Sequence, residues 1–384
     1  MNDLGGHDEK IELANRVDAA RKRSLAWLAS MQVAGAPAGV LRISPAHDAE
    51  KWPGVALPGT YNGIMCADLI GGFSALGLDD ANARAALAAW LEGFRRADGV
   101  FRIPEMRDDA VFKKPDPDET WRYIDFHVTN YSLGALESLD PQRKPVLDFV
   151  RPYLDATHLK AWLAERDLRD PWQEGNNIVN LAGFLLALAR HGADADKAAV
   201  ANCLDILFAW HDRLQEPSTG FWGVGQAGDP TRLLHAMAGS MHNYHIWYAM
   251  GRTPPFFERA IAYCLTLPPR VDSACIDVDI VDVLVHGLAA SKAPAPKATG
   301  WLAAILEAIL ADQNDDGGFA DIRTGIRRQD GWVRGYEEPQ GISNTFATWF
   351  RWIAIAMASD VLFPGRFDWR FRRSIGIGYR GLNP

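Results

Sequence analysis

Two kinds of helical segment alternate along this chain of 384 residues, and that alternation limits its fold more than any other feature. One kind is amphipathic and charged, and it occupies roughly 13–31, 82–96, 143–166, 196–214, 255–265 and 298–312. The other kind is mostly apolar after a polar first turn, as in TYNGIMCADLIGGFSAL, IDFHVTNYSLGAL, NNIVNLAGFLLALA, MHNYHIWYAM, IDVDIVDVLVHGLAA and ISNTFATWFRWIAIAMA. A helix that is apolar all round must be buried, and an amphipathic helix can cover it.

Six buried and six covering helices predict an all-α chain folded as an (α/α)6 toroid, with six inner and six outer helices. The alternative is an open α-solenoid of helix pairs. No low-complexity linker divides the sequence, so we expect one domain over residues 1–384. Within it, residues 1–12 are expected to be a flexible N-terminus and residues 365–384 a C-terminal tail.

Composition excludes some classes of function. The chain has 40 Lys+Arg against 48 Asp+Glu, a net charge of −8, so it lacks the basic footprint that nucleic acids or anionic membranes require. The four cysteines are far apart, the N-terminus lacks a secretory pattern, and no apolar run is long enough to span a membrane. We therefore predict a cytoplasmic protein with no nucleic-acid partner and no membrane span. The sequence does not determine its oligomeric state.

The first turns of the inner helices carry polar side chains that would converge on one cavity of a toroid. They include Tyr61, Asn62, His127, Asn130, Asn177, His242, His245, Asp277, Asp279 and Asn344. Asn, Asp, Ser and Thr at helix starts are typical caps. Capping does not require His, Tyr or repeated Asn deeper in an apolar helix, and buried polar groups need partners or a wet cavity. The pattern predicts a polar central pocket.

Two clusters carry the chemistry most suited to catalysis. In MHNYHIWYAMGR, His242 and His245 share a helix face with Tyr248 and Arg252, which suits a general acid or base beside a cation. In IDVDIVDVL, Asp279 lies deeper than Asp277, so we expect Asp279 to be a catalytic carboxylate rather than a cap. His242, His245, Asp277 and Asp279 could also bind a divalent metal; otherwise no cofactor is predicted.

Aromatic side chains beside acidic ones recur in the loops and in one inner helix. Trp121, Trp172, Trp247, Trp332 and Glu337 are the candidate substrate-binding residues of this kind. Aromatic platforms with carboxylates nearby suit sugar rings. The main functional prediction is therefore an enzyme acting on a carbohydrate or oligosaccharide, either an inverting glycoside hydrolase or a uronate lyase or epimerase that uses His127, Tyr248 or another base.

The stretch QNDDGGF, Gln313–Phe319, resembles the QW-type repeats of the toroid superfamily that contains terpenoid cyclases and protein prenyltransferases, and similar turns occur in toroidal polysaccharide lyases. IDVDIVDVL is similar to the DxDD acid motif of class II terpene cyclases, with Asp279 at the position of the protonating Asp and Ile280 at that of the last Asp. The resemblance implies a toroid and, as the alternative function, an isoprenoid cyclase with an Asp general acid.

The deeper turns of the inner helices argue against that alternative at the level of sequence. They are small and aliphatic (Ala67, Leu69, Gly134, Ala182 and Gly183), with Trp247 and Tyr248 as exceptions, so the expected wall would stabilise a carbocation poorly. A third hypothesis is a non-catalytic toroid that binds a partner on its rim.

Overall fold

The computed structural model describes residues 7–103, 117–223, 229–322, 326–328 and 336–381, with the side chains of 7, 117–122 and 326–328 outside that description. Within these ranges the chain forms twelve α-helices. They are α1 His7–Ser30, α2 Ala56–Leu69, α3 Ala81–Glu92, α4 Pro117–Leu139, α5 Ala156–Ala164, α6 Pro171–His191, α7 Asp194–Leu214, α8 Pro230–Ala249, α9 Phe257–Cys264, α10 Ala274–Ala289, α11 Ala295–Ala311 and α12 Thr345–Leu362. Two short antiparallel strands, β1 Ile326–Arg328 and β2 Glu337–Pro339, pair with each other.

The even-numbered helices are the inner ones. They contact one another in the order α2, α4, α6, α8, α10 and α12, and α12 contacts α2. The odd-numbered helices pack outside them, as α7 does on α6, α9 on α10 and α11 on α12. The inner helices are the apolar segments of the sequence, and nearly every described residue of α10 and α12 is buried. The prediction of an all-α chain is confirmed, apart from the short ribbon.

Local sequence signals set most helix starts. At five helix starts the residue before the helix accepts a hydrogen bond from the backbone N–H of the second or third helical residue. These capping residues are Asp80 for α3, Asp155 for α5, Asp170 for α6, Asp229 for α8 and Ser273 for α10. Pro171 and Pro230 follow two of these caps, at a position where the missing N–H has no intrahelical partner to lose.

One outer helix differs from the prediction. The segment 143–166 is not one helix, because residues Asp148–Leu154 form a 3-10 helix and only Ala156–Ala164 is α-helical. Pro152 lies inside the 3-10 segment and has no N–H for an α-helical ladder, which explains the break. At the other end of the chain, α1 begins at His7, inside the terminus expected to be flexible.

The Gln-Gly-aromatic repeats act as clasps between helices. Gln313, after α11, donates from Nε2 to the carbonyls of Ala20 (3.0 Å) and Gly317 (2.8 Å), which ties α11 to α1. Gln215, after α7, donates from Nε2 to the carbonyls of Gly220 (2.7 Å) and Pro255 (2.9 Å). The two turns make equivalent bonds, so the sequence repeat corresponds to a repeated structural joint.

The C-terminal segment after α12 folds back beneath the inner helices. Its residues Ile375, Ile377 and Tyr379 are buried, and the N–H of Arg370 donates to the carbonyl of Leu69 at the end of α2 (3.1 Å). We call residues 370–380 the floor strap. It lies at the C-terminal ends of the inner helices and closes that end of the ring interior.

Candidate functional site

One face of α10 looks into the ring interior. Cys275, Asp279, Asp282 and His286 recur at i, i+4, i+7 and i+11, so they lie along a single face. Burial raises the pKa of Tyr123 and of Tyr131 on α4, and Cys275 is near enough to both that its thiolate form would raise them further. The α10 face is therefore turned across the ring towards α4.

Asp279 has the most unusual environment on this face. It is 1% exposed, and its Oδ2 atom is buried without a hydrogen-bond partner among the described residues. Burial raises the pKa of Asp279 well above its usual range, and the charges on Asp282 and Asp277 raise it further. A carboxyl group in this setting keeps its proton to a higher pH than an exposed Asp does, so it is available as a proton donor.

Asp282, one turn further along, has the opposite environment. Its Oδ2 lies 3.1 Å from His245 Nε2, and its Oδ1 lies 3.1 Å from His286 Nδ1. These two imidazoles outweigh burial and hold the pKa of Asp282 below its usual range. His245 Nδ1 accepts the N–H of Gly376 in the floor strap (3.3 Å), so the proton of His245 is on Nε2 and is donated to Asp282.

Asp277 faces a different neighbour. Its Oδ2 forms a buried ion pair with Arg351 Nη1 of α12, and its carboxylate accepts the N–H of Asp272 (3.1 Å). Burial raises the pKa of Asp277 to about 6, and Arg351 limits the rise. At neutral pH Asp277 is therefore an ionised group bound to Arg351, and it acts on Asp279 through its charge.

Aromatic rings line the ring interior opposite Asp279. Tyr123, His127 and Tyr131 follow each other on α4 at one-turn spacing, with ring centroids 5.7 Å and 4.5 Å apart. Tyr131 also packs against Tyr61 of α2 at 5.6 Å and edge-to-face against Trp349 of α12 at 5.2 Å. In its ionised form Asp279 would raise the pKa of Tyr131, so the acid and this aromatic wall are close.

This wall differs from the aliphatic one expected from the sequence. Trp247 does not line the interior, because its ring packs on Phe208 and Trp222 towards the outer helix α7. Tyr248 stacks on His286 at 3.9 Å. The aromatic residues of the interior come instead from α4 and from Trp349 of α12. The one-turn spacing of the rings in YIDFHVTNY was the available signal.

The two remaining histidines of the interior are neutral. Burial lowers the pKa of His127 and of His242 to about 3 in both cases. The positive charge of Arg372 adds to the effect on His127, and His245 and His127 add to that on His242. His242 Nδ1 is buried and has no hydrogen-bond partner among the described residues. At pH 7 each of these neutral imidazoles therefore has one unprotonated ring nitrogen that can accept a proton.

Asparagines form the lower layer of the interior, next to the floor strap. Asn130 Nδ2 donates to Asn180 Oδ1, and Arg372 Nη2 of the strap donates to the carbonyl of Asn130 (3.1 Å). One turn above, Asn177 Nδ2 donates to Glu174 (3.1 Å), while its Oδ1 and the Oδ1 of Asn62 are buried without partners in the described chain. The predicted polar residues of α2, α4, α6, α8 and α10 are thus buried among the inner helices.

Other predicted site residues lie elsewhere. Asn344 is the N-cap of α12 and accepts the N–H of Ala347 (2.7 Å). Arg252 is exposed and packs over Phe208, outside the inner ring. Glu337 is exposed on β2.

Trp172 is half-buried in the first turn of α6, 5.4 Å from the ring of His235. Trp332 lies outside the described residues, and so does the side chain of Trp121 in α4.

The metal hypothesis finds no support among these contacts. The described residues contain no group of three or more His, Cys, Asp or Glu side chains arranged to hold a metal ion. Asp277 is bound to Arg351, and His245 is bound to Asp282 and Gly376, so two of the four suggested ligands have other partners. Separately, no helix of the described chain is long and apolar enough to cross a membrane.

Sequence reasoning missed the groups that control the three aspartates. Arg351 and His286 were not singled out, although both are charged or titratable residues inside apolar inner helices. The floor strap was also missed, because it is irregular and its role depends on where the chain returns beneath the ring.

Comparison with known proteins gives structural neighbours only. No family model matches the sequence, and no curated protein matches it. Two solved structures of the type II terpene cyclase MstE from Scytonema are similar. A Tyr-to-Phe variant without ligand has 14% identity and a TM-score of 0.44 over 92% of this chain and 99% of that chain. An Arg-to-Ala variant bound to its substrate, geranylgeranyl dihydroxybenzoate, has 13% identity and a TM-score of 0.48 over 91% and 99%.

These neighbours contradict the main functional prediction, since they are terpene cyclases and not carbohydrate hydrolases or lyases. The prediction of a carbohydrate enzyme with an oligosaccharide substrate was therefore wrong. The geometry supplies a physical reason: an inverting hydrolase needs two carboxyl groups free to act, but Asp277 and Asp282 are each held in buried ion pairs. What the chain does resemble is the helical toroid of the terpenoid cyclases.

Proposed function

We propose that the chain is an (α/α)6 toroid enzyme that cyclises an isoprenoid by protonating it, with Asp279 as the general acid. The observation that carries this proposal is the setting of Asp279, which is buried, has Oδ2 without a hydrogen-bond partner in the described chain, and has a pKa raised by burial and by the charges on Asp282 and Asp277. A carboxylic acid kept neutral by its surroundings can donate its proton to a weak base such as an alkene.

The charges on the flanking aspartates help Asp279 to keep its proton. Asp277 is bound to Arg351, and Asp282 Oδ2 is bound to His245. Both raise the pKa of Asp279 by their charge. In the proposed step the O–H bond of Asp279 breaks, a C–H bond forms at the terminal alkene carbon from its π electrons, and a carbocation remains on the neighbouring carbon.

The aromatic wall supports the next stage. Tyr61, Tyr131 and Trp349 present ring faces and edges in a buried interior, and aromatic faces stabilise cations by about 0.5–2 kcal/mol each. Ring closure moves the cation along the chain, and loss of a proton ends it. His242 is neutral with a free Nδ1, so it is the group we assign as the proton acceptor.

The test is the isotope content of the product. The protein is incubated with C15 and C20 polyprenyl alcohols and diphosphates in D₂O, and the products are analysed by mass spectrometry. Protonation-initiated cyclisation places one deuterium in each product and leaves a diphosphate intact. Cyclic products without deuterium, or with release of diphosphate, would contradict the proposal, as would the absence of any product.

Variants locate the acid. Asp279→Asn keeps the shape of the side chain and removes the proton, so we expect turnover to fall by at least about a hundredfold. The matched control is Asp205→Asn, on the exposed face of α7, which should retain the activity of the parent. Activity in Asp279→Asn equal to that of the control would remove Asp279 from the mechanism.

A further inference from the structure

A cavity lies beside Asn130, and Asp279 is not part of its lining. It has a volume of about 390 Å³ and is enclosed by α4, α6 and the floor strap. Its interior is apolar, with Leu133, Leu136, Phe184, Leu186 and Ile375 among the lining residues. Small-molecule sites in proteins have volumes of about 300–1,000 Å³ and mostly apolar walls, so this cavity has the size and the lining of one.

The cavity exists because α6 presents small residues to it. Gly183 and Ala187 are one turn apart on α6 and both line the space. A side chain of ordinary size at either position would occupy part of the volume. The gap therefore follows from the sequence of α6 and gives a direct way to close it.

The rim of the cavity is basic, in contrast to the chain as a whole, whose net charge is −8. Two acidic residues, Glu92 and Glu137, line it, against six cations: Arg95, Arg143, Arg190, Lys197, Arg372 and Arg373. The two glutamates are already bound, Glu92 by Arg95 and Arg143 and Glu137 by Arg190. Lys197 is paired with Asp194, so the positive charge without an ion pair in the described chain is that of Arg372 and Arg373.

Arg372 is the centre of that excess. Its Nε donates to Ser374 Oγ (2.9 Å) and its Nη2 to the carbonyl of Asn130, both neutral acceptors. Nη1 is buried and has no hydrogen-bond partner among the described residues. The charge of Glu137 acts on Arg372, but no ion pair of the described chain joins a carboxylate to Arg372 or to Arg373. A buried charge without a counter-ion is costly, and an anion from outside would offset that cost.

We propose that this cavity binds a single-chain anionic amphiphile, with its apolar chain between α4 and α6 and its carboxylate or phosphate on Arg372 and Arg373. Asp279 does not line this cavity, and the proposal does not depend on the cyclase function. Carboxylate and phosphate share the relevant chemistry, since both accept paired N–H donors from a guanidinium.

The binding test uses ten-carbon probes that differ only in their polar end, each below its micelle-forming concentration. Decanoate, decyl phosphate, 1-decanol and decyltrimethylammonium are titrated into the full chain by calorimetry. We expect one anion per chain, bound at least about tenfold more tightly than the neutral and cationic probes, with an affinity that falls as salt is added. The two anionic arms show which headgroup is preferred. Equal binding of all four probes, or no binding of either anion, would overturn the proposal.

Variants place the bound anion in this cavity. Arg373→Gln changes an exposed residue with no ion pair, and should weaken decanoate or decyl phosphate several-fold. Ala187→Trp should abolish binding by filling the space. The control Arg213→Gln, on the exposed face of α7, should bind as the parent does. If Arg373→Gln binds like the control, the proposal fails; because no turnover is measured, this outcome is distinct from a failure of the cyclase proposal.

Discussion

Asp279 and Asp282 are the same residue type on the same face of α10, three positions apart, and both are buried with one carboxylate oxygen that has no hydrogen-bond partner in the described chain, yet their pKa values are shifted in opposite directions. Asp282 has an imidazole nitrogen 3.1 Å from each carboxylate oxygen, and its pKa is lowered. Asp279 has an unpartnered Oδ2, and its pKa is raised. The difference shows that the neighbouring helices, rather than the local motif, decide which carboxyl group is a structural anion and which is an acid.

The largest expected effect is on stability, from Asp282→Asn. This change leaves His245 and His286 facing a neutral amide and breaks a buried ion-pair network, for which a loss of about 3–5 kcal/mol is typical. Denaturant unfolding at pH 7 measures it. Because the folded pKa of Asp282 is lowered, its stabilisation is present above the unfolded value near 4 and is lost as pH falls towards the folded pKa. The penalty should therefore shrink in acid; a penalty that stays constant with pH would contradict this assignment.

Asp279→Asn should have the opposite sign. The folded pKa of Asp279 is raised, so the folded state keeps a proton that the unfolded chain releases above about pH 4. The parent should lose up to about 1.4 kcal/mol of stability per pH unit above that point, until the folded pKa is reached. The Asn variant lacks this loss and should be the more stable of the two at pH 7. Thermal unfolding from pH 4 to pH 8 checks it, and parallel curves for both proteins would disprove it.

A smaller effect is expected where the floor strap meets Asp282. His245→Ala removes the donor to Asp282 and the acceptor of Gly376, which we expect to cost about 1–3 kcal/mol. His245→Gln can keep a donor towards Asp282 and should recover part of that loss. Chemical unfolding compares the two variants, and hydrogen exchange at the Gly376 amide should rise in both. Unchanged exchange would mean that His245 does not hold the strap.

The smallest expected effect concerns the aromatic wall beside Asp279. Tyr131→Phe keeps the ring and should change turnover by less than about threefold, while Tyr131→Leu should reduce it by about 3–30-fold, the range that corresponds to one cation–π contact. Product analysis by mass spectrometry measures both. Equal losses in the two variants would assign the role of Tyr131 to its hydroxyl group and not to its ring.

Helical periodicity predicted the all-α fold and its two kinds of helix. A helix that is buried on every side is apolar all round, and a covering helix has one apolar and one charged face, so the two can be told apart in the sequence. The periodicity failed at residues 143–166, where Pro152 interrupts the backbone ladder. The Asp279 position was found from the cost of a carboxylate in an apolar helix. The pairing of the neighbouring Asp277 with Arg351 and of Asp282 with His286 could not be found in this way. It depends on which residues the fold places beside each carboxyl group.

Trp247 and the floor strap show the same limit. A Trp in an inner helix has two buried directions available, inward to the ring interior or outward to the next layer, and composition does not distinguish them. The strap has no period at all. Its position became evident only from contacts such as those of Gly376 with His245 and of Arg372 with Asn130.

The clasp that joins α11 to α1 has a consequence for how the chain folds. Gln313 bonds to Ala20, and Trp352 Nε1 donates to Ser24 Oγ (2.8 Å), so residues about three hundred positions apart complete the same joint. Synthesis of the first eleven helices therefore leaves α1 and α2 without their final neighbours until the last fifth of the chain has emerged. Loops of that length close late, and the nascent chain depends on chaperones or on speed to keep its apolar inner helices from pairing with other molecules.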